Sequence, residues 1–259
     1  MTLPLDGVTL VVTRPAAQAS RFLALARAVG AVCIPYPTLQ IDRIALDDAT
    51  RARLQSRTWD WAIFTSANAV ESALERCPAP LATRHAAIGR ATARALEQHG
   101  VRVDTRPERA NSEGLLDLPQ FAALAGRAVL LVKGSGGRAL LRDALRARGA
   151  DVLELEVYRR SFTAPAAAAT AQLHLALASA GPLVVVVTSA EVLQSLLEHV
   201  DVDDGARLRT RTLLVPGARV AAAGERLGWT GPIVAAATAE DEAMLAALQD
   251  LAAGSKPPA

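Results

Sequence analysis

The segment Thr65-Ser66-Ala67-Asn68-Ala69-Val70-Glu71-Ser72-Ala73-Leu74 returns later in the chain as Thr188-Ser189-Ala190-Glu191-Val192-Leu193-Gln194-Ser195-Leu196-Leu197. Each copy begins where a short, β-branched run ends and continues with helix-forming residues. Ile88-Gly89-Arg90-Ala91-Thr92-Ala93 is echoed by Pro216-Gly217-Ala218-Arg219-Val220-Ala221. A third unit, made of strand, helix, glycine and extended segment, runs around Val12–Tyr36 and again around Val132–Tyr158. Such repetition means that one supersecondary plan is built twice, because a single unit cannot cover its own apolar face. With the Val12 type of unit named A and the Thr65 type B, the order along the chain is A, B, A, B.

The remaining pattern points to a parallel α/β fold. Short β-branched runs alternate with longer Ala/Leu/Arg stretches, the signature of βα units. Strands are expected at Thr9–Thr13, Trp61–Thr65, Ala86–Ile88, Ala128–Lys133, Leu183–Thr188, Leu213–Val215 and Ile233–Ala236. Helices are expected at Ala17–Ala28, Ser66–Arg76, Arg90–His99, Gly137–Arg148, Ala164–Ala180, Ala190–His199, Ala218–Leu227 and Glu240–Leu251. Leu183–Thr188 is almost wholly apolar, as a strand covered on both faces must be. Ala31–Ile44 and Val152–Arg159 read as extended segments, so both A units end in a connector rather than a turn. Two such connectors suit passage between two bodies, with the first A unit packed against the last B unit and the middle B and A units forming the other body. Two ordinary consecutive domains are the alternative.

Composition closes off several classes. Hydrophobic residues make up 51% and aromatics only 3%, so the cores are aliphatic and alanine-rich. Lys+Arg is 28 against Asp+Glu 26, which leaves no electrostatic footprint for nucleic acid. Cys33 and Cys77 lie far apart, and His85, His99, His174 and His199 are scattered singly, so neither a disulfide framework nor a metal cluster is expected. The N-terminus lacks the order of a signal peptide, and no apolar run reaches the roughly 18 residues of a membrane span. A cytoplasmic protein is expected.

Six motifs in order carry a more specific signal. They are Val11-Val12-Thr13-Arg14-Pro15, Phe64-Thr65-Ser66-Ala67-Asn68-Ala69-Val70, Ile88-Gly89-Arg90-Ala91-Thr92-Ala93 and Ser112-Glu113-Gly114-Leu115. Leu131-Val132-Lys133-Gly134, continued by Arg138, Leu145, Gly149 and Val157-Tyr158, and then Thr188-Ser189-Ala190 complete them. Together they resemble the uroporphyrinogen-III synthase family from end to end, leaving out only the tail. The resemblance implies two flavodoxin- or Rossmann-like parallel-sheet domains, joined by a two-stranded antiparallel ribbon, with the active site in the cleft between them. Residues 1–36 with 163–252 would form a discontinuous first domain and 37–162 an inserted second one. The ribbon would lie at 31–44 and 152–162, with a disordered tail at 253–259. It also implies a monomeric lyase of porphyrin and heme biosynthesis that uses no metal or organic cofactor. Its substrate, hydroxymethylbilane, loses its hydroxyl as water while the last pyrrole, ring D, inverts and the macrocycle closes. Transient handover from hydroxymethylbilane synthase would supply it, with no nucleic acid or membrane involved.

That substrate carries an acetate and a propionate on each pyrrole, so a protein holding it needs many anion sites. Helix N-termini provide them through unpaired N–H groups and the positive end of the dipole. This chain repeatedly sets small polar residues between a strand and a helix, where ligands of parallel sheets bind. The loops are Thr65-Ser66-Ala67-Asn68, Ile88-Gly89-Arg90 with Thr92, Asn111-Ser112-Glu113, Gly134-Ser135-Gly136-Gly137 and Thr188-Ser189-Ala190. Thr13 at a strand end and Gly217 with Arg219 in the second B turn join them as candidates. Ser66, Ser112 and Ser189 also fit plain N-caps. Arg14, Arg90, Lys133 and Arg138 stand at or beyond strand ends, as carboxylate partners or as surface charges. By the resemblance, Tyr158 is the group that assists departure of the substrate hydroxyl. A packing tyrosine on the ribbon is the plainer alternative.

One position departs from the pattern: Val220 stands where the repeat copy has Thr92 and the family usually carries threonine. Two other functions compete. Gly134-Ser135-Gly136-Gly137-Arg138-Ala139 fits GxGxxA after a strand, with Glu154 and Glu156 about 20 residues on, as in an NAD(P)-dependent oxidoreductase. A non-catalytic tetrapyrrole or small-ligand sensor on the same scaffold is the other.

Overall fold

The structure is a computed structural model and describes residues 3–75, 81–137 and 139–254. In chain order, β1 (Thr9–Val12), α1 (Ala16–Ala28), β2 (Val32–Pro35) and β3 (Leu39–Arg43) are followed by α2 (Asp48–Gln55), β4 (Trp61–Phe64) and α3 (Ala67–Leu74). Next come β5 (Arg84–Ala87), α4 (Arg90–Gln98), α5 (Ser112–Leu116), β6 (Ala128–Gly134), α6 (Leu140–Ala147) and β7 (Asp151–Phe162). The last part holds α7 (Ala167–Ala178), β8 (Leu183–Val186), α8 (Ala190–His199), α9 (Val202–Arg209), β9 (Thr212–Pro216), α10 (Ala218–Arg226), β10 (Ile233–Ala236) and α11 (Asp241–Gly254). Two compact units result, one of Met1–Gln40 with Ser161–Ala259 and one of Ile41–Arg160.

The repeat is visible in the strand order. The first sheet runs β10-β9-β8-β1-β2 and the second β3-β7-β6-β4-β5. Within them β9-β8-β1-β2 and β5-β4-β6-β7 are the same arrangement, parallel at every pairing. The likeness extends past the sequence match. β10 pairs in parallel with β9, and at the corresponding place in the second unit Thr105 makes a single parallel bridge to Ala86 of β5. β3 and β7 run antiparallel: the Ile44 amide donates to the Val157 carbonyl at 3.0 Å and the Thr163 amide to Thr38 at 3.1 Å, so the register climbs one strand as it descends the other.

Each sheet is covered on both faces, which is why β4 and β8 are apolar at every position. In the first unit Val11, Val185, Leu213 and Val215 pack against Leu173, Leu193 and Leu196. On the opposite face Leu10, Val12, Val184 and Leu214 meet Phe22 of α1 and Met244 and Leu248 of α11. In the second unit Ala62, Phe64, Leu130 and Val132 face Val70 and Leu96. Trp61, Ile63, Val129 and Leu131 face Leu115, Leu141 and Leu145. Fully burying one such side chain contributes about 1.5–3 kcal/mol.

The structure departs from the sequence expectations in five places. Ala31–Ile44 is two strands, not one segment, broken at Tyr36-Pro37-Thr38. α6 starts at Leu140 rather than at Gly137, because Gly136 and Gly137 hold φ of 76° and 84° and cannot be helical. α2 has no buried residue and therefore no apolar stripe to betray it. α9 begins Val202-Asp203-Asp204-Gly205, whose Asp-Asp-Gly reads as a turn, yet the Asp201 carboxylate accepts the Asp204 amide and starts a helix. α11 continues through Ala253 and Gly254, while residues 255–259 of the expected tail lie outside the described residues.

Candidate functional site

In the second unit β4 ends at Phe64 and the chain turns at Thr65-Ser66 into α3. The Thr65 amide and hydroxyl both donate to the Val132 carbonyl, at 3.1 and 3.4 Å, and pin the end of the strand. Ser66 is extended (φ −161°, ψ 161°) and its hydroxyl accepts the Ala69 amide at 3.2 Å, so it is the N-cap. Ala67 and Asn68 form the first turn, half-buried beside it.

Tyr158 reaches this same turn. The β6–β7 pairing shifts between Lys133 and Gly134, so that Lys133 faces Glu156 but Gly134 faces Tyr158. The irregularity re-aims the side chain: Val157 and Tyr158, neighbours in sequence, both join the core on the α3 side. The phenol ring lies directly over Gly134, where an added Cβ would stand 2.6 Å from the ring Cζ. Its hydroxyl is 3.1 Å from the Ser66 hydroxyl. The Ser135 amide closes the corner by donating to the Tyr158 carbonyl at 2.6 Å. Tyr158 is only 4% exposed.

The first unit repeats the turn but not the tyrosine contact. Ser189 caps α8 with nearly the same dihedrals (φ −155°, ψ 159°) and the same 3.2 Å bond, here from the Val192 amide. Ala190 follows it, half-buried. The tyrosine of this unit is Tyr36, the residue after β2, whose amide donates to Val12 at 2.8 Å; counted along the paired strands from Gly30 and Gly149 it matches Leu155 rather than Tyr158. Tyr36 is fully buried with Leu173 and Leu177 of α7, and burial pushes its phenol above the ordinary value.

The four candidate cations separate into groups. Arg14 is buried, with its guanidinium bound to Asp241 and donating to the Ala239 carbonyl at 2.9 Å, and it stacks over Phe22 at 5.0 Å. It ties β1 to the start of α11. Lys133 Nζ lies 3.6 Å from Glu156 and 4.0 Å from Glu154, and Glu156 in turn accepts the Gly136 amide at 3.3 Å. Those two glutamates are therefore matched within the sheet rather than left for a ribose. Arg90, the first residue of α4, is exposed and makes no ion pair among the described residues. Arg219 in the first turn of α10 behaves in the same way. Arg138 lies outside the described residues.

The other candidates are placed as follows. Thr13 is fully buried, and its hydroxyl donates to the Val186 carbonyl at 2.9 Å. Ser135 and Gly136 lie exposed beyond β6, while Gly134 is half-buried. Gly89 and Gly217 are the N-caps of α4 and α10, but Gly89 is extended (φ −136°) whereas Gly217 holds φ 81°, which favours glycine. Thr92 and Val220 are both buried one turn below these caps, so the hydroxyl absent at Val220 belongs to an interior position. Ser112 is not a cap. Asn111 is, through its side-chain oxygen, which accepts the Gly114 amide at 2.7 Å; asparagine is itself a preferred N-cap residue, and that is the signal for it. This loop does not follow a strand, yet Ala110 lies 3.6 Å from where a Cβ on Gly89 would stand, which brings Asn111-Ser112 beside the end of β5.

Among the described residues no three His, Cys, Asp or Glu side chains are grouped to hold a metal ion, and no helix is long and apolar enough to cross a membrane. The family profile for uroporphyrinogen-III synthase HemD matches residues 20–246. The chain belongs to the uroporphyrinogen-III synthase family. Uroporphyrinogen-III synthase of Salmonella typhimurium is 34% identical over 252 residues, covering 93% of this chain and all of that one. The Escherichia coli enzyme of the same name is 32% identical over 256 residues, with 93% and 100% covered. Among solved structures, Helicobacter pylori uroporphyrinogen-III synthetase aligns with TM-score 0.59 at 18% identity, over 94% of this chain and 99% of that one. A mutant of the Thermus thermophilus synthase aligns with TM-score 0.56 at 24% identity, over 96% and 100%. At these identities the structural likeness speaks for the two-domain fold, and the family assignment rests on the sequence relatives. Membership disposes of the nucleotide reading of Gly134–Ala139, in agreement with the ion pairs that occupy Glu154 and Glu156.

Proposed function

We infer that this chain converts hydroxymethylbilane into uroporphyrinogen III, closing the linear tetrapyrrole with inversion of ring D and release of one water. The observation that carries the reading is sequence kinship over the whole length of enzymes with that name. The geometry supports a division of labour. Substrate carboxylates are taken at the starts of α3 and α8 by main-chain amides, those of Ser66, Ala67 and Asn68 and those of Ser189 and Ala190. The turns Gly89-Arg90, Gly217-Arg219 and Ser112, with the exposed Ser135-Gly136, add further donors, and Arg90 and Arg219 supply unmatched positive charge. Arg14, Lys133 and Thr13 stay outside this set, because Arg14 is paired with Asp241, Lys133 with Glu156 and the Thr13 hydroxyl with the Val186 carbonyl.

In the reaction the bond between the terminal methylene and its hydroxyl oxygen breaks, the electron pair leaves with oxygen, and a proton delivered to that oxygen lets it depart as water. The substituted carbon of ring D attacks the resulting cation and gives a spiro intermediate. The bond from that carbon to the methylene of the preceding ring then breaks, and the free α-carbon of ring D attacks the methylene cation so formed. Its proton is released, which balances the proton spent on the hydroxyl. We assign the proton donation, or its hydrogen-bonded equivalent, to Tyr158, whose phenol sits against the Ser66 turn at the end of β4. The enzyme's larger task is positional: well-oriented reacting atoms lower a barrier by about 7–11 kcal/mol. Its 4% exposure favours a second reading, in which Tyr158 only packs.

Tyr158→Phe separates the two. If the phenol assists departure, isomer III formation slows about 10²–10⁴-fold with the fold intact. Turnover near that of the unmodified protein removes Tyr158 from the chemistry, and formation of the non-inverted isomer alone by the purified protein removes the function itself. We further propose a cytoplasmic enzyme that receives its labile substrate by transient handover from hydroxymethylbilane synthase.

A further inference from the structure

We propose that Ser66 is a positioning residue that sets the direction of the Tyr158 hydroxyl, turning its proton away from the protein and toward the ligand. The inference rests on the reading of Tyr158 as the group that assists hydroxyl departure.

The argument is one of hydrogen-bond capacity. A serine hydroxyl has one proton and two lone pairs. In Ser66 one lone pair is taken by the Ala69 amide at 3.2 Å, as the helix cap requires. The only other partner among the described residues is the Tyr158 hydroxyl at 3.1 Å. Were the phenol to donate in this contact, its proton would be spent on the protein. With Ser66 donating, its proton and one lone pair are used, its second lone pair stays open, and the phenolic proton is free for a substrate oxygen.

Two features of the fold hold this contact in place. The shift in register at Gly134 brings Tyr158 to the core side, and the absence of a side chain at Gly134 lets the ring approach the backbone. The repeat supplies the comparison. Ser189 caps its helix with the same geometry but has no tyrosine partner among the described residues. Capping therefore does not require the tyrosine, and the Ser66–Tyr158 pair is an addition to the shared plan in one unit only.

The test is a double-mutant cycle on the full chain, read as kcat and KM for isomer III formation. Ser66→Gly keeps an accepted cap residue at small cost in helix stability but removes the hydroxyl. We expect it to lower kcat about tenfold, the value of a lost hydrogen bond of ordinary strength, with KM little changed. In the Tyr158→Phe background the same substitution should change kcat less than about twofold, since the group it orients is gone, and Ser66→Thr should restore kcat. Equal losses in the two backgrounds, or a loss confined to KM, would show that Ser66 acts on the helix or on the substrate directly and would overturn the proposal. Should Tyr158→Phe alone turn over at the unmodified rate, it is the reading of Tyr158 that fails, and the single variant identifies that case.

Discussion

Gly134→Ala tests the architecture of the site at its tightest point. The new Cβ would stand 2.6 Å from Tyr158 Cζ and 2.9 Å from both Cε2 and Oη. Carbon atoms at optimal contact are about 3.5–4.0 Å apart, so the ring has to retreat by about 1 Å. It has little room to do so, because Tyr158 is packed with Leu155, Val157 and Phe64. Overpacking of this kind costs about 1–3 kcal/mol. Gly134 is outside the left-handed region, so the loss of glycine's freedom in the unfolded chain offsets about 0.4–1 kcal/mol. A net destabilisation of roughly 0.5–2 kcal/mol is expected by urea unfolding. The catalytic loss should be larger, since a displacement near 1 Å costs about 10²-fold in rate. Gly181→Ala is the control: its Cβ would meet nothing closer than Ser179 Oγ at 3.8 Å, and it should be neutral or slightly stabilising with unchanged turnover. A Gly134→Ala protein with unaltered midpoint and kcat would refute the placement of the ring over Gly134 and the reasoning built on it.

Two further outcomes follow from the charges. Arg90→Ala and Arg219→Ala should each raise KM about tenfold, the scale of one charge-assisted hydrogen bond at a partly exposed site, while leaving stability within about 0.5 kcal/mol. An unchanged KM would return both to the solvated surface. Burial holds His85 below its ordinary value, against a smaller opposing pull from Asp104. The unfolded chain therefore takes up the proton first, so stability is complete above about pH 6.5 and declines as pH falls through that value toward the folded-state one. Urea midpoints measured from pH 7.5 to 5 should fall more steeply for the natural protein than for His85→Gln, and parallel curves would exclude His85 as the source.

The kind and order of the elements are legible in the sequence because they depend on local chemistry. Alternation of β-branched and Ala/Leu/Arg runs marks the strands and helices, and Ser66 and Ser189 cap their helices as their places in the repeat suggest. The repeat itself announces the shared strand order of the two sheets, since equal patterns of apolar residues bury themselves in equal ways. The tertiary structure decides which candidate groups are free. Arg14 meets Asp241 across nearly the whole chain, and Lys133 meets Glu154 and Glu156 through a strand register. A single irregularity in that register delivers Tyr158 to Ser66, while α7 covers Tyr36. Pairs between residues distant in sequence depend on register and on which helix covers which face, and a periodic pattern specifies the face of a side chain without specifying its partner.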